Sequence, residues 1–177
     1  MKVKICGLRT LEAAQTAERA GADFLGFIMW PESRRFVPAS QAADIVRSLS
    51  GGAISVGVVV DQPVGAVAAL ARRCRFDAIQ LHGHEPPEYA ARLRASADVR
   101  IIKAFRWRDA AEETRNLNKP LLLAGGISAE NAEEAARTLS PFALDVSGSL
   151  EENGEKSPEK IRAFMRTIDE IRNEAVQ

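Results

Sequence analysis

The stretch "KICGLRT" at residues 4–10 decides how the chain is read. An apolar run ends in Cys6, Gly7 follows, and Thr10 then opens an alanine-rich amphipathic segment. A strand that passes into a helix through a short glycine turn reads as the first half of a βαβ unit. It also leaves a thiol at the carboxyl end of the strand. That thiol is either a packing element or the chemical centre of an enzyme.

Working outward, the same rhythm recurs. Short apolar runs at 3–6, 23–28, 54–60, 77–82, 99–105, 120–125 and 142–147 read as strands. They are mostly continuous rather than alternating, as suits strands covered on both faces. Amphipathic segments lie at 11–20, 40–49, 64–74, 86–95, 109–117, 129–139 and 158–173, most of them opened by Thr, Ser or Pro. Strand–helix alternation of this kind predicts a parallel sheet covered by helices, either open and doubly wound or closed into a barrel. No linker divides the chain, so residues 1–177 are expected to form a single domain. The segment at 149–156 reads as a polar, exposed loop.

Composition narrows the function. Lys plus Arg and Asp plus Glu both number 24, so no net field draws the chain to nucleic acid or to an anionic membrane. No apolar run approaches the ~20 residues that span a bilayer, and a secretory leader is not expected. Cys6 and Cys74 fall in a strand-like and a helix-like segment, which fits a reducing, cytoplasmic setting better than a disulfide.

The unusual residues gather after the strands, where α/β barrels build their active sites. Gly125 and Gly126 in "LAGGIS" allow close backbone approach to an anion, and Ser147, Gly148 and Ser149 in "DVSGS" form a second small-residue loop. Each alone is a plain turn, whereas the pair favours phosphate binding. Arg34 and Arg35 in "ESRRF" can grip a carboxylate or phosphate, or can be solvated charges. Cys6 needs nearby positive charge to act as a thiolate, and taken alone it reads first as a small buried hydrophobe. Cys74 reads as buried more firmly still. His82 and His84 in "LHGHE" lack a third ligand at suitable spacing, so no metal is expected. Trp30 and Trp107 read as packing residues.

Together, "KICGLRT", "LGFIMWPESRRFV", "VGVVVD", "IQLHGHE", "IIKAF", "LLLAGGISAENA" and "PFALDVSGS" resemble the phosphoribosylanthranilate isomerase family of tryptophan biosynthesis, in the family's order and over nearly the whole chain. The resemblance implies a (β/α)8 barrel, an Amadori rearrangement of N-(5-phosphoribosyl)anthranilate, no cofactor, and a monomer or homodimer whose partner is a sugar phosphate. It implies that Cys6 is the general base, that Arg35 holds the anthranilate carboxylate, and that His82 and Asp145 line the substrate. Gly125, Gly126, Ser147, Gly148 and Ser149 would take the phosphate. Two alternatives remain. One is a related sugar-phosphate isomerase or synthase, which would use carboxylates or lysine where Cys6 and Arg35 stand. The other is a barrel that binds sugar phosphates without turnover.

Two departures from the family pattern stand out. Its last loop usually reads Ser-Ser-Gly, and here it reads Ser147–Gly148–Ser149. The family also has eight strands where this chain shows seven. The sixth strand, its glycine-rich loop and the aspartate that serves as general acid have no counterpart before "NKPLLLAGG". Either a segment lies outside the sequence or the unit is deleted; Asp109 reads as a helix start rather than a replacement acid. A deleted chain is expected to form an open or rearranged barrel with little isomerase activity, because strand number, tilt and shear are linked.

Overall fold

A computed structural model describes residues 1–104 and 120–174. Along the chain, β1 (Lys2–Cys6), α1 (Leu11–Arg19), β2 (Phe24–Ile28), α2 (Ala39–Arg47), β3 (Ile54–Val59), α3 (Val64–Cys74), β4 (Ala78–Leu81), α4 (Pro87–Ser96) and β5 (Arg100–Lys103) come first. After residue 119 follow β6 (Leu122–Ala124), α5 (Ala132–Leu139), β7 (Ala143–Val146), a 3-10 turn (Gly148–Leu150), the hairpin β8 (Glu151–Glu152) and β9 (Glu155–Lys156), and α6 (Pro158–Glu174). The expected helix at 109–117, the end of the fifth strand near Trp107, and Asp109 lie outside the described residues.

Local chemistry accounts for the element ends. The Thr10 hydroxyl accepts from the Ala13 amide at 3.2 Å and caps α1. Pro87 sits in the first turn of α4, where its missing N–H costs nothing. The read strands and the structure agree to within a residue or two at most ends.

The seven longer strands form one parallel sheet in the order β5-β4-β3-β2-β1-β7-β6. Period-two alternation gives the sheet two different faces. One carries Val3, Ile5, Leu25, Phe27, Ile79, Leu144 and Val146 into a large core shared with the helices. The other carries a smaller apolar cluster of Phe24, Val56, Ala78 and Ala143, with Ile54, Ile102 and Leu122 packed against it. Two residues further along their strands, Ala78 gives way to Gln80 and Ala143 to Asp145. The inner face therefore has an apolar floor and a polar upper layer at the carboxyl ends.

The segment at 149–156 is largely exposed, as read in the sequence, but it folds as a hairpin rather than a loop. Asn153 and Gly154 both adopt positive φ, 51° and 81°, and turn β8 back on β9. An Asn-Gly pair favours this tight hairpin because both central residues tolerate the left-handed region. Leu150, just before the hairpin, and Lys156 within it are buried.

Candidate functional site

Cys6 ends β1 with only 7% of its surface exposed. Its partner across the ladder is Gly26 of β2, and a Cβ at Gly26 would lie 2.8 Å from the Cys6 sulfur. A glycine is therefore what gives the thiol its place. On the same side of β1, Lys4 is completely buried, and its ammonium donates to Asp145 Oδ2 at 2.8 Å. Burial favours the neutral amine, yet Asp145 and Cys6 hold Lys4 charged, above its ordinary value. Burial pushes the Cys6 thiol up, Lys4 pulls it down, Asp145 pushes it up and Lys156 pulls it down, and the balance lies above the ordinary thiol value. The surroundings of Cys6 are thus polar and charged rather than hydrocarbon.

The loop after β7 lies directly against Cys6. The Ser147 hydroxyl donates to the Cys6 carbonyl at 2.9 Å, and the Ser149 hydroxyl donates to the Ile127 carbonyl at 2.7 Å. The second of these bonds ties the two small-residue loops to each other. Gly125 and Gly126 adopt φ of 103° and 69°, and an added Cβ at either would meet nothing within 4 Å. Their loop leads into α5, with the Ser128 amide donating to Asn131 Oδ1 at 2.9 Å.

Arg35 enters from the loop after β2. Its guanidinium pairs with Glu151 of the hairpin, through Nε to Oε1 and through Nη2 to Oε2 at 3.3 Å. Lys156 donates to the same carboxylate at 2.8 Å and lies 3.4 Å from the Ser147 hydroxyl. Burial pushes the Glu151 carboxyl up, but Arg35 and Lys156 outweigh it and bring it down to about 2. Arg34 reaches Glu151 as well, at 3.1 Å, with its side chain largely in solvent.

His82 stands at the carboxyl end of β4, open to solvent, and its Nδ1 faces the Gln80 amide nitrogen at 3.3 Å. Desolvation, together with Lys4, holds its pKa below the ordinary value. Gln80 Oε1 and Asp145 Oδ1 are buried acceptors with no donor among the described residues. Buried acceptors are nearly always satisfied, so two of them on one face mark a place where a ligand can donate.

The structure brings together Cys6, Asp145, Ser147, Gly148 and Arg35, and joins Gly125 and Gly126 to that group through Ile127 and Ser149. His82 lies across the sheet on β4. His84 is exposed and faces Asp61 at 3.1 Å rather than His82. Among the described residues no group of three His, Cys, Asp or Glu could hold a metal. Cys74 is fully buried in the helix-side core, where its sulfur faces the Ala39 carbonyl. A shallow hollow of about 580 Å³ lined by Met29, Trp30, Phe36 and Leu70 lies apart from the thiol, and Cys6, Arg35 and His82 take no part in it.

Sequence reading missed Lys4, Gln80, Glu151 and Lys156. Alternation in "VKIC" puts Lys4 on the face of Cys6, so a lysine inside an apolar strand was the available signal. It also missed the network that fixes the ends of β3, β4 and β5. Buried Glu85 accepts from the Asp61 amide at 2.8 Å, the Gly83 amide at 3.0 Å and Lys103 at 2.9 Å.

A thiol, an arginine and two small-residue loops at the carboxyl ends of a parallel, helix-covered sheet form the layout of a β/α-barrel enzyme. The family model for N-(5'-phosphoribosyl)anthranilate (PRA) isomerase matches residues 3–120 and 109–167, and the chain belongs to this family. The N-(5'-phosphoribosyl)anthranilate isomerase of Geobacter metallireducens is 36% identical over 203 residues, covering 94% of this chain and 98% of that protein. The crystal structure of the phosphoribosyl anthranilate isomerase from Thermus thermophilus superposes with a TM-score of 0.87 at 35% identity, covering 97% of this chain and 100% of that one. A phosphoribosyl anthranilate isomerase in complex with reduced 1-(o-carboxyphenylamino)-1-deoxyribulose 5-phosphate also gives 0.87, at 28% identity, covering 96% of this chain and 99% of that one. No helix among the described residues is long and apolar enough to cross a membrane.

Proposed function

We propose that this chain opens the ribose ring of N-(5-phosphoribosyl)anthranilate and rearranges it to 1-(2-carboxyphenylamino)-1-deoxyribulose 5-phosphate, with Cys6 as general base. The observation that carries the proposal is the bond from the Ser147 hydroxyl to the Cys6 carbonyl, which ties the end of the thiol-bearing strand to one of the two proposed phosphate loops. Protonation of the ring oxygen opens the sugar to an iminium. The Cys6 thiolate then removes the adjacent C2 proton, and the resulting enamine tautomerises to the ketose. No atoms are gained or lost, so the chemistry calls for no cofactor.

Gly125, Gly126, Ser147, Gly148 and Ser149 hold the phosphate, away from the reacting carbons, so its binding energy positions the sugar. Arg35 takes the anthranilate carboxylate. Asp145 and His82 line the sugar, and Asp145 Oδ1 and Gln80 Oε1 offer acceptors to its hydroxyls. The chain acts as a monomer or homodimer on this small substrate.

By the family resemblance the general acid belongs to a sixth βα unit, which has no counterpart among the described residues. The sheet order ends at β5 on one side and β6 on the other, where one further strand would complete a barrel of eight. The two family-model matches meet and overlap at 109–120. The alignment with the Geobacter protein spans 203 positions against about 166 residues of this chain, leaving about 37 without a counterpart. Without a positioned acid, turnover is expected to fall by roughly 10²–10⁴-fold relative to a complete barrel.

A coupled assay on phosphoribosylanthranilate, run beside Cys6→Ser, tests the proposal. Slow turnover abolished by the substitution supports it. Turnover unaffected by Cys6→Ser removes the thiol from the mechanism, and full family-level turnover from this 177-residue chain refutes the missing-acid reading.

A further inference from the structure

We propose that Lys4 is a positioning residue for this reaction, its sealed ammonium making the Cys6 thiolate easier to form while Asp145 limits that effect. The proposal deepens the reading of Cys6 as base and rests on it. Lys4 and Cys6 are alternate residues of one strand, so their side chains leave the same face. Lys4 is 0% exposed, and the partner recorded for its ammonium is a single oxygen of Asp145, opposite it in the β1–β7 register. Gly26 confines the sulfur on the β2 side, because its backbone packs closely against Cys6. A cation sealed next to a confined thiol, and only partly neutralised, favours the anionic sulfur.

Stability alone gives a weak reason for this arrangement. A buried ion pair can often be replaced by apolar groups without loss, since desolvation offsets the attraction. Among the described residues, the charged groups facing the thiol are Lys4 from its own strand, Asp145 from β7 and Lys156 from the hairpin. Arg35 packs over Gly7 at the adjoining turn. The two lysines favour the thiolate, whereas Asp145 and burial oppose it. Opposite charges on one thiol predict opposite responses to their removal, which a purely structural pair would not show.

The experiment is a pH titration of thiolate absorbance on the full chain, taken as the difference between each variant and the same variant carrying Cys6→Ser. Lys4→Met is expected to move the Cys6 titration to higher pH. Asp145→Asn is expected to move it lower, because the sulfur then becomes an anionic partner for the ammonium. Each unit of movement changes the thiolate fraction at neutral pH by about tenfold. In turnover, Lys4→Met should lower kcat at neutral pH with partial recovery toward alkaline pH and little change in KM. Shifts of the same sign, or no shift in either variant, overturn the proposal. Should Lys4→Met fail to fold, Asp145→Asn decides alone: a downward move supports the proposal, and an unchanged or upward one overturns it. The absorbance titration needs no turnover, so this proposal and the isomerase reading fail separately.

Discussion

Every residue of β4 and of β7 is buried, whereas β5 and β6, which end the strand order on either side, contain no fully buried residue. Both pairs have the same parallel pairing and are largely apolar, although β5 carries Arg100 and Lys103 at its ends. The difference is what lies beside them. A strand with neighbours on both sides and a helix on one face is sealed, while a flanking strand keeps one edge of its backbone and part of its side chains in water. Cys6, Arg35 and the serine loop after β7 stand on the sealed sector, whereas Gly125 and Gly126 follow β6 on the open one. The acid of the family stands on the strand that would join β5 to β6. In the mechanism proposed above, the base side therefore lies within the described sheet, and the acid side belongs to the sector between β5 and β6.

Completing the sheet is the strongest way to break this contrast. A sixth βα unit of about 37 residues from the Geobacter relative, with its aspartate, would be grafted between Ala104 and Pro120. The graft is expected to raise turnover by roughly 10²–10⁴-fold, the usual contribution of one positioned acid. A graft carrying Asn in place of that aspartate should restore the fold but not the rate. Equal rates from the two grafts would show that the open sector limits activity through something other than the acid.

The next largest effect compares two leucines paired in register on adjacent strands, Leu144 of β7 and Leu123 of β6. Leu144 is fully buried, and Leu144→Ala is expected to cost about 2–5 kcal/mol in denaturant unfolding. Leu123 is only half-buried, and its truncation should cost about 1–2 kcal/mol. Similar losses at both positions would show that the open sector is packed as tightly as the sealed one.

This contrast also explains what the sequence could disclose. Continuous apolar runs such as "ISVGVV" and helix starts such as Thr10 are local signals, so the strands and most helices were legible to within a residue or two. The places of Cys6, Arg35 and the two glycine and serine loops at or just after strand ends were legible from the strand pattern, whereas the roles expected of them came from the family resemblance. Glu151 and Lys156 were not, because their importance comes from contacts with Arg35 and Ser147, more than 100 residues from Arg35 and only across a hairpin from Ser147. The Asn153–Gly154 turn was the one local clue to that hairpin. Lys4 was hidden for another reason: a lysine reads as surface, and its burial follows only from Asp145 on a strand 141 residues away.

A smaller effect sharpens the contrast at two glycines. Gly26→Ala would push a methyl within 2.8 Å of the Cys6 sulfur and 3.1 Å of its Cα, in the sealed sector. Overpacking of this kind is expected to cost about 1–3 kcal/mol and to displace the thiol, lowering kcat. Gly125→Ala meets open space, so its expected defect is backbone strain at φ 103° and a raised KM for the phosphorylated substrate. A kcat defect from Gly125→Ala with unchanged KM would break the division between a thiol-bearing strand and a phosphate-bearing loop.

The smallest effect concerns the hairpin that covers the sealed sector. Glu151 titrates at about 2 in the folded chain, below its ordinary 4.5. A carboxyl lowered on folding stabilises the fold above its unfolded value, and the contribution is lost as the pH falls through the folded one. The wild-type chain should therefore exceed Glu151→Gln in stability at neutral pH, by about 1 kcal/mol given the partial exposure of Arg35 and Arg34. That margin should shrink between pH 4.5 and about 2 and vanish below. Because Glu151 also aligns the Arg35 guanidinium, Glu151→Gln should raise KM more than it lowers kcat. A stability margin that persisted below pH 2 would show that the side chain acts through packing, and that the clamp over the sealed sector is steric rather than ionic.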